Sequence, residues 1–400
     1  MLHETQGTAA SEEKQNATPE ITDAEVKAAV QQSIRQTRLI CAQMGGQFPS
    51  CVSEHNFYHP IERKDWNWTE GFFTGELWLA YEHTGDETFK KSALAQVDIL
   101  LNRIKNKQNV EHHDMGFLYS PSCAAAYLLT GDERAREAVI LAADQLISRF
   151  QPKGGFIQAW GSMSDPGAYR LIVDCLLNLP LLYFASRLTG DEKYAEIARR
   201  HTDTTMSVIL RPDHSVYHTY YFDRETGRPL KGVTAQGNRD GSAWARGQAW
   251  AVYGIALCYA NTRQYLEEFR QVTEFFISHL PADLVPYWDF DFGDGSGEPK
   301  DSSAAAIAAC GMLEISKWLK GEEGRYYATF ARKIVKSLTD HYAVKDEKIS
   351  NGLLLHGVYS KISKLNHRTE EEGVDECNAW GDYFYAEALM RLSKDWKLYW

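Results

Sequence analysis

The chain has 400 residues, 44% of them hydrophobic and 12% aromatic, with 11 Trp and 21 Tyr. That supplies a large core, and Trp and Tyr in such numbers suit either core filling or faces that stack on sugar rings. A formal net charge of −11 argues against a nucleic-acid or anionic-membrane surface, but leaves room for a small anion met by a few local cations.

The N-terminal residues are polar and lack a basic start followed by an apolar run, so no signal peptide is expected. Residues 1–22 are expected to form a flexible segment and 23–400 one domain. No apolar run is long enough to cross a bilayer. The seven cysteines are irregularly spaced without a CxxC pair, which points to reduced, buried thiols in a cytoplasmic protein.

A helix near 23–43 opens the periodic pattern. Next, Phe73, Leu77, Trp78 and Tyr81 share one helical face, and Phe89, Ala93, Val97, Leu100, Leu101 and Ile104 share another. Between them lies TGDE, residues 84–87, and the same tetrapeptide recurs at 130–133 and 189–192 in the same context. Its glycine suits the left-handed residue that ends a helix. Its aspartate suits the N-cap of the next, and its glutamate suits the positive first turn. Further hairpins are expected to turn near Asn261 and at 321–324, and "AWGDYFYAEALMRLSKDW" closes the series. Strand-like alternation is confined to pieces such as "SVYHTYYF" and "VPYWDFDF".

About twelve helices result, joined alternately by short turns and by long connectors at roughly 44–69, 106–119, 151–171, 211–242, 281–301 and 344–379. Such alternation places every long connector at one end. Six hairpins closing on themselves make an all-α (α/α)6 barrel, with an inner and an outer helical ring in a single domain. Long connectors tend to carry function, so chemistry is expected at their end.

The unusual residues concentrate in those connectors. Asp174 stands in the apolar run "LIVDCLLNL", where a carboxylate is costly unless bonded, paired with Arg170, or kept protonated as a general acid. Asp114 is either a loop N-cap or its catalytic partner, since two carboxylates are the usual equipment of glycosidic chemistry. His112 and His113 could suggest a metal, but no HExxH and no third ligand accompany them, so no metal is expected. Trp68, Trp160 and Trp250 border the same mouth, as do His218 and Gln236. Arg246 either pairs with a structural aspartate or grips a substrate carboxylate. No GxGxxG unit in a strand–helix setting, Walker loop or GxSxG elbow appears.

The segments "HHDMGFLYSPS", "GGFIQAWG", "YRLIVDCLLNLPLL", "YHTYYFDRETGRPLKGVTAQG", "SAWARGQAW", "DGSGEPKDSSAAA" and "GVDECNAWGDYFYAEAL" resemble, in order, the unsaturated glucuronyl hydrolases of glycoside hydrolase family 88. The resemblance runs from about residue 25 to the end and implies an (α/α)6 barrel. It implies hydration of the C4=C5 bond of a Δ4,5-unsaturated glucuronate at the non-reducing end of glycosaminoglycan fragments, mainly disaccharides left by lyases. Asp174 would be the general acid/base and Asp114 the second essential carboxylate. Trp68, His113, Trp160, His218, Gln236, Arg246 and Trp250 would line the substrate pocket, with no cofactor or metal. The protein would work as a monomer or homodimer, with no nucleic-acid or membrane partner. Some members carry a Ser-x-x-Ser-x-Lys pattern for sulfate. Here Ser360 and Ser363 fit, position 365 is Leu, and Lys364 comes one residue early, so sulfate binding by Ser360, Ser363 and Lys364 stands against an ordinary solvated loop. Two other activities compete. One is an unsaturated rhamnogalacturonyl hydrolase acting on pectin fragments; the other is a sugar epimerase or isomerase using His113 and His218 as opposed bases. A third reading is a non-catalytic saccharide-binding barrel, which would tolerate loss of the Asp174 carboxyl.

Overall fold

A computed structural model describes residues 18–363, 365 and 371–400. Among the described residues twelve main helices make six hairpins. The outer members are α1 (Asp23–Met44), α3 (Glu87–Lys105), α5 (Glu133–Ile147), α7 (Lys193–Ile209), α9 (Leu266–Ser278) and α11 (Gly321–Ser337). The inner members are α2 (Glu70–Thr84), α4, α6, α8 (Ala245–Thr262), α10 (Ser302–Ser316) and α12 (Ala379–Ser393). Helix α4 runs through Met115–Tyr119, a π-helical turn at Ser120–Ala124, and Ala125–Thr130. Helix α6 comprises Cys175–Asn178 and Pro180–Thr189, broken where Pro180 lacks the N–H that would continue the ladder. Around the ring α2 packs on α4, α4 on α6, α6 on α8, α8 on α10, α10 on α12, and α12 on α2. The barrel is closed.

The two rings differ in pattern because they differ in surroundings. Every residue of α10 from Ser302 to Ile315 is buried, as is every residue of α12 from Ala379 to Arg391. The outer helices bury one stripe each, such as Phe89, Ala93, Val97 and Leu100 on α3. Inner helices also approach closely: a Cβ on Gly311 of α10 would lie 2.7 Å from the Tyr253 Cα of α8.

The TGDE turns are built as their residues predict. Gly85, Gly131 and Gly190 are left-handed, at φ of 69°, 70° and 76°. Asp86 accepts from Thr88 N at 2.8 Å, Asp132 from Arg134 N at 2.8 Å, and Asp191 from Lys193 N at 3.0 Å. The threonine adds a feature the sequence reading did not name. Thr84, Thr130 and Thr189 each donate back to a carbonyl four residues earlier and accept from the aspartate N–H. The turn expected near Asn261 falls at Arg263 and Tyr265, both left-handed. The one expected at 321–324 falls at 317–320, because Gly321 already begins α11. Of the segment expected to be flexible, residues 1–17 lie outside the described residues, whereas Ile21 is buried and Thr22 caps α1.

Three small antiparallel sheets lie in the long connectors. They are β1 (Phe150–Gln151) with β2 (Phe156–Ile157), β3 (Arg170–Ile172) with β4 (Thr219–Phe222) and β5 (Pro229–Val233), and β6 (Gly357–Ser360) with β7 (Glu372–Glu376). "SVYHTYYF" supplies β4; "VPYWDFDF" makes only isolated bridges, Trp244 with Asp289 and Tyr287 with Lys300. Among the described residues no helix is long and apolar enough to cross a membrane.

Candidate active site

The long connectors are pinned from beneath before any of them meets a ligand. Arg103, fully buried on α3, ion-pairs with Glu70 at 2.7 Å and donates to the carbonyls of Asn67, Gln108 and Asn109. It thereby ties the connector carrying Trp68 to the one carrying His112, His113 and Asp114. Asp289 accepts from Asn238 N at 2.8 Å and Ser242 Oγ at 2.7 Å, which holds the loop just after Gln236. Asp301, at the start of α10, ion-pairs with Arg246 at 3.0 Å. These buried ions are each matched by several partners, the condition under which such groups are tolerated in a core.

Above them opens a cavity of about 300 Å³, lined by Asn67, Trp68, Asp114, Trp160, Ile172, Asp174, His218, Gln236, Trp244, Arg246, Trp250 and Tyr359. Seven of the nine catalytic and pocket residues expected from sequence line it directly and an eighth, Arg246, does so with its charge already engaged. The ninth, His113, lies behind the wall, 1% exposed, with Nε2 3.3 Å from Asp114 Oδ1 and 3.4 Å from Asp174 Oδ1.

Asp114 and Asp174 occupy equivalent places. Each stands at the N-terminus of an inner helix, α4 and α6, and neither side chain caps its helix. Nor is Asp174 among the ion pairs of Arg170. Both structural alternatives for Asp174 thus give way to a carboxyl whose side chain is 21% exposed, opening onto the cavity.

The two environments push the carboxyls apart. Burial and the neighbouring Asp114 charge raise Asp174 well above the ordinary carboxylate range, against the pull of Arg246. Asp114 is also buried, but His113, His112 and the Trp160 indole outweigh that and hold it below the ordinary range. Asn178, one turn into α6, reaches Asp114 Oδ1 at 3.3 Å and receives Phe117 N–H on its own oxygen. Burial lowers His113 to about 4, so above that pH it is a neutral ring between two carboxyls. Its place behind the wall, out of the cavity lining, does not suit it as one of two opposed bases for epimerisation.

The remaining wall is aromatic and hydrogen-bonded. Trp160, 37% exposed at the lip, stacks on His112 at 4.3 Å and 4°. Trp68 stacks on Trp380 at 5.1 Å and donates to Tyr359 OH at 3.3 Å. Trp250 is 2% exposed and packs on Phe117 and Phe384, so it is largely core. His218 Nδ1 meets Thr219 Oγ1 at 2.7 Å, and its Nε2 lies 3.3 Å from Gln236 Nε2.

The structure takes the first of the two alternatives for Arg246, the pair with a structural aspartate, Asp301. Arg246 does not offer an open fork to a substrate carboxylate. Its Nη1 donates to Asp301 and the Val358 carbonyl, its Nη2 to the Tyr359 carbonyl at 2.7 Å and to Gln236 Oε1 at 3.5 Å. It contributes positive potential and orients Gln236. The metal question also looks different, because Asp174 supplies the third ligand that sequence lacked: one donor atom each from His113, Asp114 and Asp174 lie within 4.8 Å of one another.

Ser363 donates to the Asn238 carbonyl at 2.6 Å and accepts from Leu365 N at 3.0 Å. Ser360 is buried at the end of β6, and Lys364 lies outside the described residues. Residues not singled out from sequence are Asn67, Ile172, Trp244, Tyr359 and the supporting Asn178. Each sits beside or inside a quoted motif, but sequence alone does not say which neighbour in a run such as "DWNW" or "GVYS" turns inward.

Comparison with known proteins agrees with this construction. The profile of Glycosyl Hydrolase Family 88 matches residues 41–383. An unsaturated chondroitin disaccharide hydrolase of Streptococcus agalactiae serotype III is 46% identical over 384 residues, covering 95% of this chain and 94% of that protein. The crystal structure of an unsaturated glucuronyl hydrolase from Streptococcus agalactiae superposes with a TM-score of 0.91 at 45% identity, covering 97% of this chain and 96% of the other. A mutant of that hydrolase complexed with dGlcA-GalNAc6S superposes at 0.84 with 42% identity and the same coverage. With likeness of that extent along nearly the whole length, the chain belongs to glycosyl hydrolase family 88.

Proposed function

We propose that the protein hydrates the C4=C5 double bond of a Δ4,5-unsaturated glucuronate at the non-reducing end of glycosaminoglycan-derived oligosaccharides, mainly disaccharides. The observation that carries this is the split pair: one raised and one lowered carboxyl sharing a neutral histidine at the floor of one sugar-sized cavity. Paired groups pushed apart in this way support Asp174 as the acid and Asp114 as the charge stabiliser.

Asp174, protonated, delivers its proton to C4. Positive charge develops at C5 and the ring oxygen, and ionised Asp114 stabilises it. The Asp174 carboxylate then takes a proton from a water adding to C5, which returns it to its starting form. The resulting hemiketal opens and releases the second sugar and a 4-deoxy-5-keto uronic acid. His113 lies between the two carboxyls, Trp160 and Trp68 offer ring faces to the sugar, and Gln236 and His218 offer polar atoms to its edge. This reading needs no cofactor. The S. agalactiae relative bound to dGlcA-GalNAc6S supports the substrate class.

The test is loss of the ultraviolet absorbance of the conjugated double bond when the protein meets unsaturated disaccharides from chondroitin, hyaluronan and heparin. Turnover of at least one is expected. Turnover of pectin-derived unsaturated disaccharides alone would replace this substrate class.

A further inference from the structure

Arg170 takes no part in the hydration chemistry, yet it lies on the strand whose Ile172 lines the cavity. In the three-stranded sheet Arg170 pairs with Tyr221 and Tyr221 with Lys231, while Ile172 pairs with Thr219 and Thr219 with Val233. Ile172 lines the cavity, and Leu171 is buried on the opposite face. Residues two apart on a strand share a face, so Arg170 lies on the cavity side, about 6.6 Å farther out. Arg170 Cζ and Lys231 Nζ each lie 5.8 Å from the Tyr221 ring centroid. The Arg170 carbonyl accepts from Ala159 N at 3.0 Å, which sets Trp160 beside this face.

Neither cation has an ion-pair partner among the described residues. Arg170 Nη1 donates to the Gly167 carbonyl at 3.2 Å, and among the described residues no carboxylate lies within ion-pair distance of either side chain. Asp165 and Asp223, in the flanking loops, accept instead from Gly167 N and from Thr226. In a chain of net charge −11, two such cations around one tyrosine, on the sheet face that carries Ile172 into the cavity, form a local reversal of sign.

We propose that Arg170 and Lys231, on either side of Tyr221, form an outer anion subsite that takes a sulfate ester or carboxylate on a sugar beyond the unsaturated ring, with the Tyr221 face beneath that sugar. The direction in which the substrate leaves the cavity rests on the hydration reading.

Arg170→Gln and Lys231→Gln are compared with the parent on three unsaturated substrates: an unsulfated disaccharide, a sulfated disaccharide, and an unsulfated tetrasaccharide carrying a second uronate. The saturated counterparts, which cannot react, are titrated calorimetrically alongside. On the unsulfated disaccharide kcat/KM stays within about two-fold of the parent. On a substrate that places an anion at the subsite, each variant loses about five-fold in kcat/KM and in affinity, a loss that shrinks as salt is raised. Loss on the sulfated disaccharide assigns the sulfate as ligand; loss on the tetrasaccharide alone assigns the uronate. Unchanged values on all three, or equal loss on all three, overturn the subsite. Because the calorimetric arm reads binding without turnover, failure of the hydration reading and failure of the subsite are separate results.

Discussion

At the scale of the residue, Asp174 decides the chemistry. Asp174→Asn keeps size and shape but cannot donate a proton, and kcat is expected to fall by about 10³-fold or more with unchanged circular dichroism. Asp114→Asn is expected to fall comparably, because the developing charge loses its counter-ion. The pH dependence has a definite sign. Hydration needs Asp174 protonated, and its raised carboxyl keeps that form available into mild acid; activity is lost as pH rises through the raised value. On the acid side activity is lost when Asp114 takes up a proton, below the ordinary carboxylate range. A kcat–pH profile flat across the acidic range would remove Asp174 as the donor. Asp174 was legible in sequence because a carboxylate inside an apolar run must be explained. For Arg246 the sequence offered two alternatives, and the choice between them was not legible, since its partners Asp301, Val358 and Tyr359 come from distant connectors.

At the scale of the element, the short turns and the inner-ring contacts set stability. Asp132 accepts from two N–H groups at the start of α5, and Asp132→Ala is expected to cost about 1 kcal/mol in urea unfolding. Gly311→Ala brings a methyl to 2.7 Å from the Tyr253 Cα, and the overpacked α8–α10 contact is expected to lose about 1–3 kcal/mol in the same measurement. An unchanged midpoint for Gly311→Ala would show that these helices separate freely. The hairpins were legible because TGDE carries its own turn chemistry; the break in α6 follows from Pro180, a local signal that the helical periodicity around it masks.

At the scale of the molecule, ring closure brings α12 back against α2 and buries two carboxyls between them. Asp382 accepts from Leu353 N, Leu354 N and Tyr58 OH, and burial pushes it up to about 7. Glu76 is pushed well above the ordinary range by burial and by Asp382. Both are protonated in the folded barrel at pH values where the unfolded chain has them ionised. Their contribution to stability is therefore full below the ordinary carboxylate range, at about pH 4, and is lost as pH rises through about 7. Thermal melting is expected to fall between about pH 4 and pH 7, and Glu76→Gln, which removes one of the two ionisations, is expected to flatten that slope. An identical slope in the variant would mean the pair does not carry it.

By itself the sequence determined the helices, their pairing into six hairpins and the end of the barrel where the chemistry sits, because periodicity and turn chemistry are local properties of the chain. Tertiary structure alone decided which connector residues share one cavity, that Arg246 is already engaged, that His113 lies between the two carboxyls, and that Asp174 is raised while Asp114 is lowered. Those outcomes depend on burial and on charges brought within a few ångströms from separate connectors, and no local pattern encodes such distances.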